Sequence, residues 1–370
     1  MQNNIIPGGF KDDVSSHVAA EHRFKNIIID CFQSNGFELV KTPLIEHFNI
    51  NTDKNVFKIL VNKKEKKLNI RDDITLQVAR LSQTRLLNKK KPLKLCYYGE
   101  VVRKKGTMLR PERQFLQIGA ECIGVNSFLA DVEMMELAYS SLSLVGINNI
   151  TIEISSRIFF DTFFNDIKNL ALKKELKRLI KIKNLKEICE LLDEKKQIYI
   201  KNLFSCTGIY NDKKENLDKL AINNKTSNEI ENIKKIVKKF SYNHKKVNIF
   251  LDLCEIDDKN YHSGVRFTFF AKNVRGEIAR GGRYIVNRVN RNDVGTGFTC
   301  YMDTILRASS IKIEEKKILI PFDSLKTIIK DLIKKKYSVV KHQEKNKISK
   351  KIAKAQRCQY YLDKNIVKKV

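Results

Sequence analysis

Apolar residues recur at intervals of three and four along several stretches of the chain, a spacing that places them on one face of an α-helix. Residues 14–34 and 127–145 show this pattern, and Gly36 follows the first of them at a position where helices commonly end. From about 160 to 243 the sequence is charged, periodic and nearly free of glycine and proline. We therefore expect two separate helices and a long helical insertion.

Other stretches are rich in β-branched and aromatic residues or alternate between apolar and polar positions, as strands do. Residues 93–103 and 113–124 flank a loop of lysine, glycine and arginine, which predicts two antiparallel strands. The basic turn at 62–67 predicts a hairpin. Further strands are expected at 149–155, 246–254, 265–271, 277–280 and, followed by a helix, within 294–308. Strands in antiparallel order with inserted helices indicate the α+β class, built on a central antiparallel sheet.

The pattern changes after about residue 310. One short strand (KILIPF) and one helix (SLKTIIKDLIKKK) are followed by a polar, basic tail. We expect a core at 1–310, which contains the helical insertion at about 160–243, and a short C-terminal strand-helix appendage with a basic tail at 311–370. No internal repeat of fixed period is visible.

The net charge of +29 at pH 7 is large for a chain of 370 residues. Clustered lysine and arginine favour nucleic-acid binding, because they release counterions from phosphates. Here the lysines are spread along helical stretches such as 172–186 and 233–239, with no interleaved aromatic residues to stack on RNA bases. We interpret most of this charge as solvated helix surface and do not expect a nucleic-acid partner.

Several features favour a cytoplasmic protein. The first residues, MQNNIIPGGFKDD, lack the charged and then apolar pattern of a secretion signal. No apolar run reaches the roughly 18 residues that a membrane span requires. The eight cysteines are scattered and form no CxxC pair. Scattered thiols suit a reducing compartment and argue against a disulfide scaffold or a zinc site.

Four segments carry chemical groups in an order that points to a known family. They are Arg71–Arg80 (RDDITLQVAR), Tyr98–Arg103 with Arg113–Glu121, Tyr261–Gly264, and Gly281–Tyr284 with Val294–Phe298. In this order and spacing they resemble the core of class II aminoacyl-tRNA synthetases, and specifically the histidyl member, over most of the chain. The resemblance implies a sheet that holds an amino acid and ATP together, with guanidinium groups matched to phosphate oxygens.

The residues that correspond to the family's amino-acid pocket are mostly kept. By resemblance, Asp73 stands in place of a glutamate that faces the ligand's ammonium group. Arg103 matches an arginine that reaches the ligand's carboxylate and the α-phosphate. Gln117 and Glu121 match residues that contact bound histidine, and His262 takes the place of a second tyrosine. The implied histidine-binding set is Asp73, Thr75, Arg103, Gln117, Glu121, Tyr261 and His262.

The groups that activate ATP in the family are missing. The arginine that acts as a catalytic cation has become Asp257, a charge reversal that should repel a triphosphate. The arginine on ATP's terminal phosphates is replaced in the aligned pair Asp303-Thr304, and Lys104-Lys105-Gly106 replaces a stretch that includes the adenine-facing glutamate. Arg280 stands where the family prefers a small residue and offers a replacement cation. We expect no catalytic residue, cofactor or metal.

We also expect no full anticodon-binding domain, because only about 60 residues follow the core and such a domain needs on the order of 100. A synthetase-like core with these losses is similar to the regulatory subunits of ATP phosphoribosyltransferase, a family that pairs with a short-form catalytic subunit in histidine biosynthesis. The resemblance implies a non-catalytic subunit of a hetero-oligomer, with histidine as effector and a self-dimer formed through the segment that includes Pro43. A divergent histidyl-tRNA synthetase and a tRNA-binding paralogue remain the alternatives.

Simpler interpretations of the same residues stay open. Asp73, Gln117 and Glu121 also fit inherited fold residues that satisfy one another's hydrogen bonds. His262 alone also fits a packed or solvated ring. The glycines at 281–282 and 295–297 lack the strand–glycine–helix context of a phosphate loop, so we expect them to allow tight packing on the sheet.

Overall fold

The computed structural model describes residues 6–14, 16–47, 55–59, 67–255, 262–272, 274–286, 293–312, 316–344 and 347–370, without the side chain of His262. The chain divides into two compact units, Met1–Asp12 with Glu21–Ile311 and Asp13–Ala20 with Lys312–Val370. Within the described ranges, no helix has both the length and the hydropathy to cross a membrane.

The first unit is built on a nine-stranded sheet in the order β1-β5-β6-β12-β11-β10-β7-β9-β8, and β2, β4 and β3 form a smaller sheet. The strands are β1 (Glu38–Leu39), β2 (Ile45–His47), β3 (Phe57–Ile59), β4 (Leu68–Ile70), β5 (Leu93–Val102), β6 (Gln114–Ile123), β7 (Ile150–Ser156), β8 (Gly208–Ile209), β9 (Asn248–Leu251), β10 (His262–Ala271), β11 (Ala279–Val286) and β12 (Asp293–Tyr301). Neighbours in the large sheet are antiparallel except β1 with β5 and β7 with β9. This arrangement confirms the predicted α+β class with a mainly antiparallel central sheet.

The strand predictions can be compared with these bounds. The pair predicted at 93–103 and 113–124 is β5 and β6, which run antiparallel from Leu93↔Ile123 to Val102↔Gln114. The hairpin prediction is confirmed for its flanks, since β3 and β4 pair antiparallel, while most of the turn lies outside the described residues. Strand β11 extends well beyond the predicted 277–280, and β9 is shorter than the predicted 246–254.

Helices cover the large sheet and fill the stretch between β7 and β9, where β8 interrupts them. They are α1 (Ser16–Ser34), α2 (Thr75–Gln83), α3 (Phe128–Leu144), α4 (Arg157–Asn165), α5 (Leu170–Lys181), α6 (Leu185–Glu190), α7 (Glu194–Ser205), α8 (Tyr210–Lys213), a 3₁₀ helix (Lys214–Leu220), α9 (Asn224–Asn243) and α10 (Met302–Ala308). Gly36, with φ +83°, follows α1 as predicted. The amide of Phe37 donates to the carbonyl of Phe32 at 3.1 Å and satisfies a carbonyl at the end of this helix.

The two faces of the large sheet differ in chemistry. One face is mainly apolar and packs on helices; Phe32 of α1 meets Phe298 of β12 edge to face, with ring centroids 5.4 Å apart. On the opposite face an apolar cluster joins Ile74 and Val78 at the start of α2 to Leu95 and Tyr97 of β5. Beyond that cluster the second face carries polar side chains, and the sheet is therefore dry on one side and able to hold a polar ligand on the other.

Glycines on both faces of the sheet let β11, β12 and β6 pack closely, as predicted. A Cβ on Gly281 would lie 2.3 Å from the carbonyl oxygen of Gly297 and 2.6 Å from the ring of Phe267. A Cβ on Gly297 would lie 1.6 Å from Oε2 of Glu121. Any larger residue at these positions would displace backbone or a buried carboxyl group, so the glycines serve packing.

The second unit has its own four-stranded sheet, in the order β14-β13-β15-β16. Its elements are β13 (Lys317–Pro321), α11 (Lys326–Lys334), β14 (Ser338–His342), α12 (Lys350–Ala355), β15 (Tyr360–Asp363) and β16 (Ile366–Lys369). Ile318, Ile320, Leu332 and Leu362 form one part of its core. The predicted strand and helix correspond to β13 and α11, but interpreting the rest as a basic tail missed three strands and a helix.

We expect Gly281→Ala to lower the free energy of unfolding by about 1–3 kcal/mol, the usual cost of overpacking. The added methyl group has rigid backbone on one side and a buried ring on the other. Urea unfolding measures the change. Gly8→Ala is the matched control, because a Cβ there meets nothing within 4 Å. Equal unfolding midpoints for the two variants would contradict the close packing of β11 on β12.

Candidate functional site

A cavity of about 180 Å³ opens on the polar face of the large sheet. Its walls include Asp73, Thr75, Arg103, Glu121, Arg280 and Tyr284. This volume far exceeds the space that one water needs and is smaller than the roughly 300–1,000 Å³ of drug-sized sites. The cavity therefore suits a small polar molecule such as a single amino acid.

Strand register brings the floor of the cavity together from residues far apart in sequence. Tyr97 lies opposite Gly119, and Thr299 lies opposite Gly119 on its other side. The hydroxyl groups of Tyr97 and Thr299 are 2.8 Å apart, and the Tyr97 hydroxyl donates to Oε1 of Glu121 at 3.3 Å. Tyr284 donates to Oε2 of Glu121 at 2.8 Å. The Glu121 carboxyl group is thus held by hydroxyls from two other strands.

Burial dominates the electrostatics of Glu121. The side chain is completely buried, and this burial raises the pKa of its carboxyl group to about 8, against the opposing hydrogen bond from Tyr284. The nearby Asp73 carboxylate raises this pKa further. At neutral pH Glu121 is therefore mainly protonated, and a nearby cation would favour loss of that proton.

The start of α2 forms a second wall. Oδ1 of Asp73 accepts from the amide of Thr75 at 3.0 Å, and the Thr75 hydroxyl lies 3.1 Å from that of Tyr97. Gln117 supports this wall from below, because its Oε1 accepts from the amide of Ile74 at 3.3 Å. Its Nε2 is buried and has no hydrogen-bond partner among the described residues. Gln117 lies behind the cavity wall and fixes the start of α2, where Thr75 is the first helical residue and Asp73 lies just before the helix.

Arg71 fixes the segment before α2 to the rest of the sheet. Its Nε donates to the carbonyl of Glu100 at 2.8 Å, and its Nη1 donates to the carbonyl of Thr42 at 3.0 Å. The guanidinium occupies the space above Gly99, where a Cβ would lie 2.0 Å from Nη2. Gly99 therefore has to remain glycine for this arginine to reach its partners. The Arg71 side chain therefore joins the segment before α2, which lines the cavity, to the segment around Pro43.

Arg103 presents an available cation to the cavity. Its guanidinium carbon lies 4.9 Å from the centroid of the Phe115 ring, which stabilises it through a cation–π contact. Within the part of the chain that the structure describes, its guanidinium makes no ion pair or hydrogen bond. A half-buried guanidinium without an anion is a natural partner for a ligand carboxylate.

A second arginine, close to this wall, is already neutralised. Arg110 is 4% exposed, stacks on Tyr301 at 3.9 Å, and donates to Asp303 at 3.0 Å and to Glu277 at 3.0 Å. Thr304, at the position where the resemblance implies a lost arginine, donates its hydroxyl to the carbonyl of Glu277 at 2.9 Å. Neither residue offers a charge to a phosphate. Asp257 lies outside the described residues.

Arg280 lies in the cavity wall, where the sequence predicted a replacement cation. Its Nη2 donates to Oε1 of Glu255 at 3.0 Å. The other oxygen of Glu255 lies 3.3 Å from Nη2 of Arg266 and accepts from the hydroxyl of Ser155 at 3.2 Å. Glu255 thereby holds Arg280 in place.

The structure brings together most of the sequence-predicted site. Asp73, Thr75, Arg103 and Glu121 line the cavity, and Gln117 lies directly behind it. Tyr261 and the side chain of His262 lie outside the described residues. Sequence reasoning missed three hydroxyl groups that meet at Glu121 or beside it, namely Tyr97, Tyr284 and Thr299. The signal available for Tyr97 was its alternation with Leu95 along a buried strand.

A mainly antiparallel sheet, with helices on its apolar face and a small polar cavity on the other, defines a protein of the class II aminoacyl-tRNA synthetase type. Residues 9–305 match the family model described as histidyl-tRNA synthetase, and the chain belongs to this family. The resemblance stated from the sequence segments is thus confirmed.

Individual relatives give a finer picture. The ATP phosphoribosyltransferase regulatory subunit of Rhodospirillum centenum is 29% identical over 86% of this chain and 83% of its own length. The protein of the same name from Rhodospirillum rubrum is 29% identical over 82% of this chain and 80% of its own length. The four sequence segments and the missing arginines had indicated relatives of this kind.

Solved structures share the fold. One from Bacillus halodurans, described as an ATP phosphoribosyltransferase regulatory subunit/histidyl-tRNA synthetase, has a TM-score of 0.80 at 22% identity and covers 98% of both chains. Histidyl-tRNA synthetase from Nostoc sp. PCC 7120 has a TM-score of 0.79 at 17% identity, over 98% of this chain and 92% of that one. These likenesses establish the architecture.

Glu121→Gln should flatten the dependence of stability on pH. The folded state raises the pKa of Glu121 to about 8, whereas an unfolded glutamate titrates near 4.3. The folded chain therefore binds this proton more tightly, and stability falls as pH rises between these values, by up to about 1.4 kcal/mol per pH unit. Glutamine has no such proton to lose.

Urea unfolding from pH 5 to pH 8 measures this difference. Glu190→Gln serves as the control, because Glu190 is exposed and its substitution leaves the buried carboxyl group untouched. Stability curves for Glu121→Gln and wild type that run parallel over this range would show that Glu121 does not carry the proton.

Proposed function

We propose that this chain is a non-catalytic regulatory subunit of an ATP phosphoribosyltransferase and that its cavity senses histidine. The relatives from Rhodospirillum centenum and Rhodospirillum rubrum carry the first part of this description in their names, over most of their length. The partner is a short-form catalytic subunit, with which the chain forms a hetero-oligomer in the first step of histidine biosynthesis.

The distribution of arginines around the cavity supports a sensor over a synthetase. Transfer chemistry on a nucleotide phosphate requires several cations aimed at the phosphate oxygens. Arg110 is instead neutralised by Asp303 and Glu277, and the Thr304 hydroxyl donates a hydrogen bond to a backbone carbonyl. Arg103 is left to bind the carboxylate of one small ligand. Among the described residues, these groups suit an amino acid better than a triphosphate.

Histidine matches the groups that remain. Its carboxylate pairs with Arg103, its ammonium group with Asp73, and its ring reaches the hydroxyls around Glu121 and Thr299. Arrival of the ammonium group lowers the proton affinity of Glu121, because a nearby positive charge favours the carboxylate. Regulation then requires that histidine bind one quaternary state of the complex more tightly than another, since only differential affinity shifts such an equilibrium.

Turnover of the short catalytic subunit tests both parts of the proposal. Phosphoribosyl transfer to ATP is expected to rise when this chain is added and to fall again when histidine is added. Arg103→Met should keep the activation and weaken histidine inhibition at least tenfold, because loss of a charge-assisted hydrogen bond costs roughly 1.5–3 kcal/mol. Steady-state kinetics and calorimetric titration with histidine provide the two measurements.

Arg275→Met is the matched control, since Arg275 is exposed in the turn between β10 and β11. It should behave like wild type in both assays. Turnover that is indifferent to the chain would refute the regulatory role. Activation without any histidine effect would leave the role intact and refute the sensor.

We further propose that two copies of the chain associate through the segment that includes Pro43. Leu39, Leu44 and Ile45 are each more than two-fifths exposed, and Tyr98 on the neighbouring strand β5 is exposed to the same degree. Exposed large apolar side chains that recur along one segment and its neighbouring strand favour a contact between chains.

Leu44→Glu should convert the dimer to a monomer, because a carboxylate in an apolar contact is left unpaired and desolvated. Sedimentation velocity measures the change in mass. Leu170→Glu is the control, since Leu170 is 80% exposed at the start of α5 and away from this segment. A sedimentation coefficient unchanged by Leu44→Glu would place the self-contact elsewhere.

A divergent histidyl-tRNA synthetase is the second candidate, favoured by the family model that spans residues 9–305. It predicts histidine-dependent exchange of pyrophosphate into ATP by the purified chain alone. Such exchange, abolished by Arg103→Met, would replace the regulatory proposal. Salt-dependent binding of tRNA without exchange would instead support a tRNA-binding paralogue.

A further inference from the structure

The connection between β5 and β6 presents an apolar tip to solvent. It spans residues 103–113, and the side chains of Met108 and Leu109 at its tip are 101% and 54% exposed. All residues from 104 to 109 are exposed. A single exposed apolar side chain is ordinary on a protein surface. Two consecutive ones at the tip of a connection are open to a partner, provided that the backbone holds them in place.

The first side of this connection is fixed by Asn55. The amides of Lys104 and Lys105 donate to the Asn55 carbonyl and to its Oδ1, each at 2.9 Å. Nδ2 of Asn55 donates in turn to the carbonyl of Lys105 at 3.1 Å. These hydrogen bonds fix the backbone just before the exposed tip.

The other side of the connection is fixed by Arg110. Its amide donates to the hydroxyl of Thr107 at 3.0 Å, and its carbonyl accepts from the amide of Thr107 at 2.7 Å, which closes a tight turn around the tip. Its side chain is buried and paired with Asp303 and Glu277. The tip is therefore preorganised, and an interface that uses it avoids much of the entropic cost of ordering a loop.

The charge beside the tip is positive. Lys104 and Lys105 are exposed, and neither makes an ion pair with any residue that the structure describes. The carboxylate of Glu112, on the far side of the connection, is paired with Arg307 at 3.2 Å. The surface that complements this arrangement has an apolar pocket with carboxylates at its rim.

The composition of the connection favours a protein partner over RNA. Methionine is enriched at protein interfaces, because its flexible side chain adapts to the shape of a pocket. Residues 103–113 include no aromatic side chain on which a base could stack. Two lysines alone supply charge without any means of holding a base.

We infer that residues 104–109 form the docking surface for the short-form catalytic subunit, with Met108 and Leu109 entering an apolar pocket that has an acidic rim. The inference rests on the proposed regulatory function. The connection begins at Arg103, which lines the cavity, so the docking surface and the proposed histidine contact belong to one short segment. Any effect of histidine on docking is matched by an equal effect of docking on the affinity for histidine.

The test is turnover of the short catalytic subunit as the concentration of this full chain is raised. Met108→Glu should raise the half-saturating concentration about tenfold or more, because a central contact residue carries much of the binding energy and the new carboxylate meets an acidic rim. Turnover at saturation should equal that of wild type. The urea unfolding midpoint should not move, since the Met108 side chain is fully exposed.

Leu170→Glu is the matched control, because it makes the same change at an apolar side chain of α5 that is 80% exposed. It should follow wild type. A second variant, with both Lys104→Gln and Lys105→Gln, tests the charge. It should raise the half-saturating concentration several-fold at low salt and make that concentration less dependent on salt.

The outcomes separate the docking surface from the regulatory role. A half-saturating concentration for Met108→Glu equal to that of wild type would overturn the docking surface and leave the regulatory role in place. Turnover that is indifferent to the wild-type chain would refute the regulatory role and the inference with it. Binding of tRNA that the double lysine variant loses, while it activates turnover normally, would assign these lysines to RNA and overturn the inference.

Discussion

A carboxyl group buried at the centre of the sheet determines much of the first unit. An isolated carboxylate in such surroundings is strongly disfavoured, so Glu121 needs hydrogen bonds and keeps its proton at neutral pH. Tyr97 and Tyr284 supply the hydroxyls, from strands on either side of the pair that contains Glu121. Gly297 leaves the space in which the carboxyl group lies. Strand register, glycine position and cavity floor therefore depend on this single side chain.

Two arginines beside the cavity differ in how their charge is neutralised. Arg110 is turned toward Asp303 and Glu277, and a bridge of this kind is costly to open because it would leave buried charges unpaired. Arg103 rests on the Phe115 ring with its guanidinium available. In the proposed function, Arg103 is therefore left to recognise a small zwitterion, while the charge of Arg110 is committed to contacts within the protein.

The sequence predicted the sheet well where its signal was local. Residues 93–103 and 113–124 are β-rich and became β5 and β6, and motif order led directly to Asp73, Thr75, Arg103 and Glu121. It missed the hydroxyl of Thr299, because that residue meets Tyr97 only through the register of strands some two hundred residues apart. It also missed β16, whose residues are all exposed and mostly lysine or β-branched, so that no alternation marks them.

The order of strands also affects synthesis of the protein. Strand β6 pairs on one side with β5, which precedes it closely, and on the other with β12, which is made almost at the end of the first unit. At a translation rate of about 5–20 residues per second, one edge of β6 has no β12 partner for roughly ten to thirty-five seconds. During that time Ile118, Ala120 and Cys122 belong to an open edge in the middle of the future sheet. The strand that later supports the cavity therefore keeps one edge without its final partner until β12 has been made.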